Sequence, residues 1–175
     1  MPHNIVLSIA SRTGLIVASG DEDDPPFWHR FLAETGANFE AEALGPPSIE
    51  TLRQLYTSVL ANYEHRCALS GASFPPPADF LHDDLQVAAI RPLHSGGKMH
   101  VSNFLCLQND MAEVFRLGHI TIGRDFEIIV DVSRTGGDLV KRLNPMGRLH
   151  LPKTDIAMPD SDSVMFHRRT IFVAA

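Results

Sequence analysis

Along the chain, apolar residues recur first at strand spacing and then at helical spacing. Asn4–Ala10 and Leu15–Ser19 are short runs rich in Ile and Val, separated by Ser11-Arg12-Thr13-Gly14, and this pattern predicts a β-hairpin. The acidic run Asp21-Glu22-Asp23-Asp24 and Pro25-Pro26 end it, and Phe27–Glu34 reads as a short helix or an apolar loop carrying Trp28. Past Gly45-Pro46-Pro47 the period changes. Ile49, Leu52, Leu55, Tyr56, Val59, Leu60 and Tyr63 line one helical face, Ser48 supplies an N-cap, and Glu50 suits the first turn. Phe74-Pro75-Pro76-Pro77 is a stiff connector that cannot be helical. Strands are predicted at Leu85–Ile90 and Phe104–Leu107, followed by a helix over Asp110–Leu117 with Gly118 as its C-terminal stop. A second hairpin is predicted from Ile120–Ile122 and Phe126–Val132, turning at Gly123-Arg124-Asp125.

Composition narrows the class. A hydrophobic content of 44% and a charged content of 21% in 175 residues describe a globular chain with room for one sizeable core. No run of apolar residues is long enough to span a bilayer, and Ile5–Ala18 lacks the basic flank of a signal peptide, so a cytoplasmic protein is expected. Cys67 and Cys106 cannot build a four-cysteine zinc site and are expected as free thiols. The net charge of −6 is uneven. Residues 1–60 hold eight acidic and three basic side chains, whereas residues 121–175 hold seven acidic and eight basic. Any surface for a polyanion must therefore be a local patch built from the second half.

The stretch 85–123 carries the most specific pattern. A strand ends in Ile90-Arg91-Pro92, a Gly96-Gly97 turn follows, then Val101-Ser102-Asn103, a second apolar strand and a short helix. This order and spacing resemble the core of the HNH endonucleases. Arg66-Cys67-Ala68-Leu69-Ser70-Gly71 before it and Arg148-Leu149-His150-Leu151-Pro152, Pro159 and Phe166-His167-Arg168 after it resemble one branch of that family. The likeness runs over about residues 55–172 and leaves the first 45 unmatched.

The resemblance implies an α+β fold: a ββα-metal core with extra β-hairpins and one long amphipathic helix. It also implies an N-terminal extension over 1–45 and a nuclease domain over 46–175. In the family, one His immediately precedes the Ile-x-Pro and serves as general base, because an imidazole titrating near neutrality can take a proton from water. A second His, two residues after the Asp that opens the helix, binds a divalent metal. Those slots hold Ala89 and Ala112 here, while the middle position is kept as Asn103. Arg116 is a further departure, standing where family members often carry Asp.

The resemblance thus implies a DNA endonuclease of restriction or defence type, dependent on Mg²⁺ or Mn²⁺, in a catalytically disabled form. Alanine at both slots, with the flanking signatures kept, reads as an engineered double His→Ala substitution that inactivates a toxic nuclease. A natural pseudo-nuclease, working as a DNA-binding or protein-interaction module, is the alternative. Asp110 is the carboxylate expected nearest a metal, although helix capping explains it equally well. Arg91, Lys98 and His94 are the expected DNA contacts, and a homodimer would suit cleavage of both strands. His82 beside Asp83-Asp84 is a conceivable metal trio, read more simply as a solvated strand entry. His100 is expected as a loop residue, His119 as structural, and His167 as tail packing.

Overall fold

The computed structural model describes residues 6–10, 15–19, 48–78 and 81–172. The region around Trp28 and the Gly45-Pro46-Pro47 linker lie outside the described residues.

The first hairpin forms as its alternation predicts: β1 (Val6–Ala10) pairs antiparallel with β2 (Leu15–Ser19), Ile9 opposite Ile16. Among the described strands this pair is a sheet of its own and adds to no other. Helix α1 spans Ile49–Asn62, and its N-cap Ser48 accepts from the Thr51 N–H through Oγ. Leu52, Leu55, Tyr56, Val59, Leu60 and Tyr63 are all buried, so the face predicted from their spacing is the face the core covers.

Strand β3 (Leu85–Ala89) pairs antiparallel with β4 (Phe104–Gln108), with Val87 opposite Cys106 and Ala89 opposite Phe104. Successive residues of a strand point to opposite faces, yet Phe104, Leu105, Cys106 and Leu107 are each fully buried. Both faces of the hairpin are therefore covered. Helix α1 packs on it, and so does helix α2 (Asn109–Arg116), which follows β4 without a loop. Residues Met111, Ala112 and Phe115 are the buried side of α2.

Cys67–Leu69 runs beside this unit: the Ala68 N–H donates to the Cys106 carbonyl, and the Ala68 and Leu69 carbonyls accept from His150 and Asn144. Both cysteines are free and buried.

A second antiparallel hairpin, β5 (Ile120–Ile122) with β6 (Ile128–Val130), follows α2. The remainder is short: α3 (Gly137–Lys141), α4 (Ser161–Phe166), and a π-helical turn over His167–Ile171 that continues α4. Gly118 shows how tightly that tail is seated. It stops α2 with a φ of 70°, and a Cβ there would stand 2.1 Å from the Ile171 carbonyl oxygen. The fold is mixed, with helices and small antiparallel strand pairs, and no described helix is long and apolar enough to cross a membrane.

Candidate functional site

The loop between β3 and β4 is closed by one side chain. Asn103, fully buried, accepts from the Arg91 N–H through Oδ1 at 3.0 Å. Its Nδ2 donates to the Arg91 carbonyl at 2.9 Å and to the Lys98 carbonyl at 3.1 Å. Three of the amide's hydrogen-bonding sites are thus spent on the backbone. The Gly-Gly turn follows from this closure: a Cβ at Gly97 would lie 2.0 Å from the Arg91 carbonyl oxygen and 2.7 Å from Asn103 Nδ2. Only glycine lets the loop approach so closely.

Arg91 leaves this loop half-buried. Its Nε donates to the Ser95 carbonyl at 2.7 Å, and its guanidinium lies 4.5 Å from the centre of the Phe166 ring, a cation–π contact. Lys98 is exposed, with Nζ 3.5 Å from an Asp160 carboxylate oxygen. Asp160 also caps α4 through Ser163 N–H and O–H bonds. Burial works to raise its pKa, but the Ser163 bonds and the Lys98 charge outweigh it and hold the carboxyl below its ordinary value. His94 is exposed in the 3₁₀ turn Leu93–Ser95, and His100 Nδ1 accepts from the Ser102 N–H at the start of the next turn.

Ala89 ends β3 and Ala112 lies mid-helix in α2; they are 6% and 0% exposed, and both belong to the hydrophobic core. Asp110 is exposed in the first turn of α2. It receives the Met111 N–H on Oδ1 and pairs through Oδ2 with the Arg142 guanidinium. His82 is buried rather than solvated. Its Nδ1 accepts from the Asp84 and Leu85 N–H groups and its Nε2 donates to the Pro75 carbonyl, so both ring nitrogens are engaged by backbone.

These donors do not fit a divalent metal. The two slots offer methyl groups, Asn103 is consumed by the loop, and Asp110 is turned to Arg142. Among the described residues no three His, Cys, Asp or Glu side chains stand together as a ligand set.

His167 is tail packing, as its place in the sequence suggests, and its geometry is specific. The ring stacks on Phe115 with centroids 4.0 Å apart. Nε2 donates to the Phe115 carbonyl at 3.0 Å, which leaves Nδ1 to accept from the Thr121 hydroxyl at 2.8 Å. Burial lowers its pKa to about 4, against the opposing pull of the Phe115 carbonyl. Sequence reasoning missed Phe166 and Arg169 as part of the surface beside Arg91, and Arg124 as part of the cavity next to it. Their convergence depends on a tail helix too short to read from periodicity.

No family model matches the chain, and no curated protein does. Among solved structures it is similar to one described as "Modification dependent TagI restriction endonuclease". The TM-score is 0.52 and the identity 25%, over 69% of this chain and 38% of that one. The two chains share a fold over that span, and this chain covers well under half of the other protein's length.

Proposed function

We propose that this protein is an HNH-type, ββα-metal DNA endonuclease whose catalytic site is disabled by alanine at positions 89 and 112. The supporting observation is that a single hairpin-plus-helix unit carries all three slots: Ala89 ends β3, Asn103 precedes β4, and Ala112 sits on the core side of α2. That unit lies in a chain similar in fold to a protein described as a restriction endonuclease, and this supports duplex DNA as the partner and defence as the setting. Residues 46–175 are the nuclease domain on this reading and 1–45 an extension. Two copies would serve the two strands of a duplex, and light scattering on the full chain measures that.

Phosphodiester hydrolysis needs a base to take the proton of the attacking water and positive charge on the phosphate. Arg91 and Lys98 retain charge beside the loop, but a methyl group at position 89 accepts no proton. The His-bearing counterpart would use Mg²⁺ or Mn²⁺, and the residues present here do not hold it.

The chain as it stands should not cleave plasmid DNA under either metal, since loss of a general base alone costs about 10²–10⁴-fold. The pair Ala89→His with Ala112→His should restore cleavage, while each single change restores little, because such groups act as a unit. Brisk cutting by the unsubstituted chain would overturn the reading. The complete enclosure of Ala112 favours a second reading, a natural non-catalytic DNA-binding or interaction module. A double variant that is folded, binds DNA and stays inert under both metals selects that one.

A further inference from the structure

The tail that covers Phe115 also builds a cavity that the catalytic reading does not use. It has a volume of about 410 Å³ and lies between the β5–β6 turn and α4 with its π turn. Phe126, Val164 and Met165 supply its apolar lining, and Arg124, Arg168 and Arg169 its cations. Asp162 is the one carboxylate in the lining, and Glu127 faces Arg168 closely enough for that charge to help lower its pKa, behind the stronger effect of backbone hydrogen bonds. Three cations against Asp162 in the lining and Glu127 beside Arg168 leave the cavity with a net charge of about one positive unit. Neither Arg124 nor Arg169 has a side-chain ion pair or hydrogen bond among the described residues.

A second hollow adjoins it, sharing Asp162, Met165 and Arg169 and reaching Arg91. The arginines therefore continue from the loop that Asn103 closes, over Phe166, to the cavity. Arg168 and Arg169 are carried by the π-helical turn, a rare geometry that recurs at functional sites.

An apolar lining with arginines beside it suits a ligand with a flat apolar body and an anionic group attached to it. We propose that this cavity is a nucleotide subsite, taking one unpaired nucleotide of a DNA strand: the base against Phe126, Val164 and Met165, the phosphates on Arg124 and Arg169. Stacking on an apolar or aromatic platform combined with guanidinium contacts to phosphate is the general mode of single-strand binding. The inference rests on DNA being the partner, and it adds where a strand departs from the duplex.

The test uses the full chain, a fluorescein-labelled oligothymidylate as single strand, and a labelled perfect duplex of the same length, both at low salt. Arg124→Ala with Arg169→Ala should weaken single-strand binding at least tenfold. Met165→Trp changes no charge and offers the base an aromatic platform; it should strengthen single-strand binding severalfold and leave duplex binding unchanged. Unfolding temperatures within a few degrees of the parent chain confirm that the variants fold. Unchanged single-strand affinity in folded Met165→Trp overturns the subsite while leaving DNA as the partner. Failure of the parent chain to bind either DNA overturns the subsite and the DNA reading together. Competition by polyglutamate but not by thymidine monophosphate would make the cavity an acidic-peptide site and likewise overturn the proposal.

Discussion

At the scale of single residues, Asn103 is legible as a position and opaque as a structure. Its distance from Ala89 and Ala112 marks it, but nothing in the spacing says that its amide serves Arg91 twice and Lys98 once. Truncating it takes the partner from one part-buried N–H and from two carbonyls. Each net hydrogen bond is worth about 1 kcal/mol, and an orphaned buried group costs about 1–3 kcal/mol. Asn103→Ala should therefore lose about 2–4 kcal/mol, read as a lower denaturant midpoint with an unchanged slope. Asn103→Asp should not rescue it: the carboxylate can accept from the Arg91 N–H, but it faces the Arg91 and Lys98 carbonyls with no donor. A parent-like midpoint in either variant would show that the loop closes without the amide.

At the scale of elements, what local chemistry specifies was readable and what docking specifies was not. Helix α1 carries its own N-cap and a full apolar face, and Gly118 ends α2, so both helices follow from sequence alone. The helices α3 and α4 and the π turn are five or six residues long. Helices so short do not hold by propensity, and tertiary contacts fix them. For the π turn the contact is His167 between Phe115 and Thr121, and its titration gives that docking a pH dependence. The folded pKa is about 4 and the ordinary value 6.5. Between these limits the unfolded chain binds the proton and the folded chain does not, so stability rises with pH across the window. Its contribution is fully present above about pH 6.5 and is lost as pH falls toward 4, by up to about 3 kcal/mol. His65 and His150 are also lowered by burial and act in the same direction. His167→Gln keeps a donor for the Phe115 carbonyl and removes one titration. Urea unfolding from pH 4 to 7 should show a shallower rise in this variant, and an identical slope would assign the linkage to the other histidines.

At the scale of the whole molecule, the order of the parts was read through resemblance, and the disposition of charge through composition. The path from Arg91 across Phe166 to Arg169 was readable through neither, because it joins a core loop to the C-terminal tail. On the proposed function, this disposition bears on how an acidic chain would meet DNA. The first 60 residues hold most of the excess acid, and the last 55 are close to neutral with eight of the basic groups. Affinity must then come from a few arginines and lysines acting locally against a repulsive remainder, and it should be weak and steeply dependent on salt. The alanines at positions 89 and 112 do not enter this term, since phosphate contacts come from the cations. Arg91 is the informative probe because its guanidinium has no carboxylate partner among the described ion pairs; it is held by the Ser95 carbonyl and the Phe166 ring. Arg91→Ala should weaken duplex binding severalfold at low salt and reduce the slope of log affinity against log salt by about 0.9, the value for one phosphate contact. Lys98→Ala should reduce it less, because Asp160 already neutralises part of that charge. An Arg91→Ala protein with parent-like affinity and slope would remove this arginine from the DNA surface and leave it a loop fastener alone.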